Sequence, residues 1–325
     1  MIRKFLFALL LIAGASHRAE AADHAFRRGI NILGYDPYWT DQSKRRFQWR
    51  HFRKIRSAGF DFVRVNLSAF DRMDSANRID PAWLAKLDSV VREATKAGLG
   101  VVLDQHDWKY CDTDPAICEA KVSAFWSQVA ARYARAPRSV AFELLNEPHG
   151  KLDAPAWNKL MPRLLRVIRQ SNPARLVVVG PTSWNSLRAL PQLELPTDSN
   201  LIVTFHYYEP MTFTHQGAPW VTQFTPLHGI TWGSAADQAA LRADFDTVAA
   251  WARAHHQHRI LLGEFGAYDK SGTPMALRSS YTAAAREQAE RHGFGWSYWQ
   301  FDGDFVVWDM DKQRWVDPIR RALIP

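Results

Sequence analysis

Two glutamates stand where acid–base chemistry needs them. The first, Glu147, lies in Ser139-Val-Ala-Phe-Glu-Leu-Leu-Asn-Glu-Pro-His-Gly150. Here the apolar run 140–145, interrupted by one acid at Glu143, breaks off at Asn146-Glu147-Pro148. A short apolar run bounded by turn residues reads as a buried parallel strand. A carboxylate at its end is costly unless it faces a polar cleft. Pro148 is expected to hold Glu147 extended and to stop the strand. The second, Glu264, lies in Arg259-Ile-Leu-Leu-Gly-Glu-Phe-Gly-Ala267, another apolar core with Gly263 and Gly266 on either side of the acid. Each glutamate alone fits a structural ion pair as well as a reactive group. Together they form a candidate carboxyl pair, one to protonate a leaving oxygen and one to attack or to activate water, as glycosidic bond cleavage requires.

Such a pair must be positioned by the rest of the chain. Strands are expected at 28–33, 60–67 and 100–105, a fourth ending at Glu147, then 175–180 and 201–207, a seventh ending at Glu264, and 295–300. Helical patterns fall between them, at 47–58, 81–97, 116–134, 156–170, a short 183–190, 235–255 and 274–291, with a terminal helix at 317–323. Asp80 and Gly98 cap the second helix. A long loop covers 208–233. Eight strand–helix units without repeat or linker predict an α/β fold, a single-domain (β/α)8 barrel. Glu147 and Glu264 then lie at the C-terminal ends of strands four and seven, the face on which such barrels do chemistry.

Leu-Asn-Glu-Pro on one strand and Gly-Glu-Phe-Gly on a later one resemble family 5 of the glycoside hydrolases, the cellulase family of the retaining barrel clan. The resemblance implies that Glu147 is the acid/base and Glu264 the nucleophile of a double displacement on a β-linked polysaccharide or oligosaccharide. It implies that Arg64 hydrogen-bonds the nucleophile and that His106 lines the sugar site. Asn146 would contact the sugar 2-hydroxyl, His206 would orient the acid/base, Tyr208 would donate to the nucleophile and Trp299 would floor the sugar subsite. Trp184, Trp39 and Trp108 follow strands five, one and three and read equally as further sugar platforms or as loop packing. The substrate expected first is a β-1,4-glucan. Mannan, mixed-linkage and β-1,3-glucan suit the same scaffold.

Composition narrows the alternatives. A formal charge of +8 reads as solvated surface, with no nucleic-acid partner and room for a weak attraction to acidic cell-surface polymers. Residues 1–21, with Arg3, Lys4, an apolar run 5–13 and Ala19-Glu20-Ala21, have the form of a cleavable secretory signal, too short to span a membrane. The expectation is a signal peptide at 1–21 and one catalytic domain at 22–325, exported to periplasm or medium, not inserted in a membrane, and monomeric. In that setting Cys111 and Cys118 are expected to form a local disulfide worth ~2 kcal/mol. No cofactor and no metal is called for. A metal-dependent barrel would need histidine pairs at strand ends, whereas His255, His256 and His258 cluster ahead of strand seven. A non-catalytic sugar-binding barrel would lack a carboxylate or Arg64, and every such position is filled.

Overall fold

The apolar runs become one closed ring of eight parallel strands in chain order. They are β1 (Arg28–Ile32), β2 (Phe62–Leu67), β3 (Gly100–Gln105), β4 (Val140–Glu143), β5 (Val177–Val179), β6 (Leu201–Tyr207), β7 (Ile260–Phe265) and β8 (Gly295–Tyr298). Pairing of β8 with β1 closes the ring. The computed structural model describes residues 26–325, and the signal-peptide expectation at 1–21 lies outside them. Around the ring run α1 (Trp49–Ser57), α2 (Pro81–Lys96), α3 (Pro115–Arg132), α4 (Ala154–Ser171), α5 (Ala235–Ala254), α6 (Met275–Arg291) and α7 (Asp317–Leu323). None of the described helices is long and apolar enough to cross a membrane.

Local chemistry explains the helix starts. Asp80, Asp114 and Asp153 each accept a hydrogen bond from a backbone N–H of the first turn, and a proline occupies the first or second position. That combination satisfies donors the helix cannot satisfy itself. Ser234 and Asp237 form a reciprocal capping box on α5. Helix α1 starts later than expected, because Gln48 is extended and serves as its N-cap, its N–H donating to His51 Nδ1 at 3.0 Å.

Two expectations are corrected. The fifth helix is not a helix over 183–190. Ser183, Trp184 and Asn185 have left-handed backbones, followed by a 3-10 segment at Leu187–Gln192. Hydrogen-bonded pairing in β4 ends at Glu143, four residues before Glu147. The chain beyond it stays tied to its neighbours through Leu144 N–H to the Val178 carbonyl (3.0 Å) and Asn146 N–H to the Gln105 carbonyl (2.8 Å).

Strand alternation sorts the core into two parts. Outward residues such as Val63, Val65, Val101 and Leu103 pack against the helices in one large cluster. Phe26, Phe62, Val102, Ala141, Leu176, Val178, Ile202 and Leu261 form a separate apolar cluster. Phe62 reaches so far across that a Cβ on Gly29 would lie 2.2 Å from its ring. Two residues further along β2, β3 and β4 the chain places Arg64, Asp104 and Glu143, all buried.

Candidate active site

Arg64 is fully buried. An isolated guanidinium there would be prohibitive, so its partners decide the site. It grips Glu143 with two bonds, Nε to Oε2 at 2.7 Å and Nη2 to Oε1 at 2.9 Å. Its Nη1 donates to Glu264 Oε1 at 2.8 Å and to Asn31 Oδ1 at 2.8 Å. Its Nη2 also donates to Asn146 Oδ1 at 2.7 Å and lies 3.1 Å from Asp104 Oδ2. The sequence pointed to one carboxylate partner, and the fold supplies three. Burial pushes the Glu143 carboxyl up to about 7, against the pull of Arg64.

Glu264 is presented by a shift in strand register. The β6–β7 pairing slips between Phe205 and His206, which sets His206 opposite Glu264. Such irregularities re-aim side chains beside sites. Gly263 makes room, since a Cβ there would lie 2.5 Å from Thr204 Oγ1 and 2.9 Å from His206 Nε2. The Tyr208 hydroxyl donates to Glu264 Oε2 at 3.0 Å, so both carboxyl oxygens carry a donor.

His206 bridges the two glutamates. Its Nδ1 lies 2.7 Å from Glu147 Oε1 and 3.6 Å from Glu264 Oε2. The Asn185 amide lies 3.2 Å from Nε2. With that amide donating, Nδ1 carries the proton and donates to Glu147. Desolvation lowers the His206 pKa to about 4, so the ring is neutral near pH 7. Desolvation also raises the Glu147 pKa to about 7, against the opposing pull of His106, Arg64 and His149. The Glu147 side chain keeps 23% of its surface open towards solvent.

Glu147 does not have the extended backbone that Pro148 suggested. Its φ is +48°, in the left-handed region. A non-glycine residue held there costs about 1–3 kcal/mol and needs support from its surroundings. His149 Nδ1 bonds the Glu147 carbonyl at 2.6 Å, and the Trp184 N–H reaches the Pro148 carbonyl at 3.4 Å. The loop next leans on the one after β3, through Lys151 N–H to the Asp112 carbonyl at 2.8 Å. That neighbour is closed by the Cys111–Cys118 disulfide. Cys118 belongs to the first turn of α3 rather than to the loop.

The remaining expected site residues divide. His106 bonds Asp104 Oδ2 through Nδ1 at 2.5 Å and stacks on Trp299 at 5.5 Å and 9°. Burial opposes charge on His106, but Asp104 outweighs it and the pKa rises. Trp108 and Trp184 are exposed, and Trp184 stacks on His149 at 4.6 Å. Trp39 is not a platform. It is buried, packs on Trp83 at 5.2 Å and donates its indole N–H to the Leu33 carbonyl. Sequence reasoning missed the roles of Glu143, Asp104, Asn31 and Asn185, and missed Tyr35, which is exposed and meets Trp299 edge-on at 6.1 Å. Glu143 had a signal, a lone acid in an apolar strand. Tyr35 had none.

One oxygen of Glu147, one of Glu264 and a nitrogen of His206 all lie within 4.8 Å of one another. It is the one cluster of three such donors among the described residues. Arg64, 2.8 Å from Glu264, sets a fixed cation against any metal there. His255 instead packs on Trp251 at 4.3 Å.

Comparison with known proteins gives the same direction. The family described as Cellulase (glycosyl hydrolase family 5) matches residues 24–304. Endoglucanase H of Acetivibrio thermocellus is 29% identical over 303 residues, covering 88% of this chain. The chain spans 31% of that relative's length, and 42% of Endoglucanase 3 of Fibrobacter succinogenes. Among solved structures, the cellulose synthase subunit Z of Clostridioides difficile superposes with TM-score 0.87 at 34% identity, covering 92% of this chain and all of that one. Thermotoga maritima Cel5A, solved with mannotriose, gives TM-score 0.89 at 32% identity, covering 94% and 99%.

Proposed function

The chain belongs to the cellulase family, glycosyl hydrolase family 5, and we propose that it is a retaining endo-β-1,4-glucanase. The observation that carries the mechanism is the close approach of the two glutamates, one oxygen of each lying within 4.8 Å of the other. A retaining pair stands about 5–5.5 Å apart, whereas an inverting pair needs about 6.5–9.5 Å to admit water. In this reading Glu264, hydrogen-bonded by Arg64 and Tyr208, attacks the anomeric carbon. Glu147, protonated because of its desolvated setting, gives its proton to the leaving oxygen. His206 holds the other Glu147 oxygen and leaves the acidic proton free to face the substrate. Once the leaving sugar departs, Glu147 takes a proton from water, which releases the glycosyl group from Glu264. Asn146, with its carbonyl oxygen occupied by Arg64 and its amide nitrogen 3.4 Å from His106 Nε2, has one amide N–H left for the sugar 2-hydroxyl. Trp299, braced by His106, floors the reacting sugar, and Trp184 and Trp108 offer outer platforms.

The glucan reading rests on the endoglucanases among the relatives. Mannan is the second reading, favoured by the complex of Thermotoga maritima Cel5A with mannotriose. Export and a single catalytic domain complete the proposal, and the disulfide supports an oxidising compartment. Proton NMR of the first minutes of hydrolysis of a β-1,4-glucan oligosaccharide is expected to show the β-anomer. An initial α-anomer would overturn both glutamate roles. A panel of glucans and mannans with product sizing separates the two substrate readings.

A further inference from the structure

Away from the cleft, the densest charge in the chain is the segment 44–56. It holds Lys44, Arg45, Arg46, Arg50, Arg53, Lys54 and Arg56 and no acid. Six of the seven side chains are exposed, and Arg45 lies half-buried over the Trp49 ring at 5.0 Å. Lys44 meets Asp41, Arg56 meets Asp61 and Arg50 donates to the Gln313 amide. Arg46, Arg53 and Lys54 make neither an ion pair nor a side-chain hydrogen bond among the described residues.

Lys54 and Arg56 lie in the last turn of α1, where the helix dipole favours a cation, but the fold gains little electrostatically from Arg46, Arg50 and Arg53. On α1, Arg50 stands three residues before Arg53 and four before Lys54, and Arg53 three before Arg56. Like charges at these spacings repel across the helix surface. Arg50 also lies in a first turn that holds no acid, against the helix dipole. The packing of α1 comes from Phe52 and Ile55 on its inner face, which need none of these cations. A local rule broken at several adjacent positions without structural return is a mark of function.

We propose that this face binds a carboxylate-bearing polysaccharide. Five of the seven cations are arginines, whose planar fork suits a carboxylate better than an ammonium does. Of the aromatic residues between them, Phe47, His51 and Phe52 are buried, and the half-buried Trp49 ring is stacked on Phe52 at 6.1 Å and covered by Arg45 at 5.0 Å. The segment therefore offers no apolar anchor for a lipid surface and no open ring for stacking nucleobases. The face begins in the loop from β1 to α1, which also carries Tyr35 at the cleft rim.

The test measures binding of the full chain to polygalacturonate by calorimetry at low and physiological salt. It is repeated with an R50Q/R53Q/K54Q variant and with a control K159Q/R166Q/R253Q variant that removes equal charge from other exposed positions. The parent protein is expected to bind, more weakly as salt rises. The first variant is expected to lose at least about tenfold in affinity, while the control stays within about twofold and both hydrolyse a neutral β-glucan at the parental rate. The first variant is also expected to remain folded, with a single cooperative melting transition like the parent's. Absence of binding or equal loss in the control would overturn the proposal. So would tighter binding to phosphatidylglycerol vesicles or duplex DNA than to polygalacturonate. None of these outcomes depends on whether the cleft hydrolyses glucan.

Discussion

The interior of the barrel is two materials on the same strands. Phe62, Val102 and Ala141 lie in the apolar cluster, and two residues further along β2, β3 and β4 stand Arg64, Asp104 and Glu143. One strand period separates non-directional packing from a layer in which every bond of Arg64 has a named acceptor. The apolar layer needs volume and tolerates exchange of shape. The charged layer needs each partner, because removing one leaves a buried charge uncompensated. Both layers hold the fold together, but only the upper one carries the proposed chemistry.

The sharpest way to break this division is a pair of substitutions. Glu264→Ala, at the proposed nucleophile, is expected to lower turnover by about 10⁴-fold or more, with the melting transition largely kept because Arg64 retains Glu143 and Asp104 as carboxylate partners. Phe62→Ala is expected to cost about 3–5 kcal/mol in stability while the folded fraction turns over normally. If chemical denaturation and initial rates gave both variants the same profile, the two layers would not be separable.

Arg64→Met should combine the two effects. It strands Glu143, Asp104 and Glu264, so a loss of about 3–5 kcal/mol is expected, along with nearly all turnover. A stable, inactive Arg64→Met protein would mean that the charged layer carries less folding energy than its bonds suggest.

A smaller effect is expected from pH. The Glu147 pKa is raised from 4.5 to about 7, so the rate should fall as pH rises through about 7 and the acid loses its proton. The same shift acts on stability. Between about 4.5 and 7 the folded chain binds the proton that the unfolded chain has released, so the Glu147 contribution weakens as pH rises. Glu147→Gln is therefore expected to lose turnover and yet melt at or above the parent at pH 8, by scanning calorimetry. A lower melting temperature there would contradict the desolvated setting.

The smallest effect concerns the disulfide. Reduction is expected to cost ~2 kcal/mol and to loosen the loop on which Lys151 leans, with the barrel intact. Two free thiols in the denatured, non-reduced protein would remove the brace altogether.

Much of this plan was legible in the residues. Asp80 and Gly98 marked their helix ends, because capping is local chemistry. The endings at Glu147 and Glu264 stood out because acids rarely close apolar runs. Arg64 announced a buried partner, but its number of partners depends on which residues of three other strands point inward, and that is set by register. Trp39 was left open between platform and packing because an indole after a strand says nothing about the Trp83 ring that covers it. The left-handed backbone at 183–185 was invisible for a similar reason. Asn185 folds back so closely that a Cβ on Gly180 would stand 2.1 Å from its side-chain oxygen, while its amide reaches His206 on β6. Glu147 defied the usual effect of a following proline because distant contacts hold its loop.

Arg64 also has a consequence for how the chain acquires its structure. Asp104 and Glu143 come from the two strands that follow it, but Glu264 lies 200 residues away on β7. Asn31, which accepts from Arg64, donates to the Gly263 carbonyl and to the Ser297 hydroxyl and so ties β1 to β7 and β8. A half-formed ring therefore buries one cation against two acids and lacks the third, and its seam stays open. The last strands to arrive complete both the hydrogen-bonded ring and the charge set at its centre. Closing the barrel and assembling the cleft are thus one cooperative event, and a chain with a finished ring and an unfinished site is a state this sequence has little means to populate.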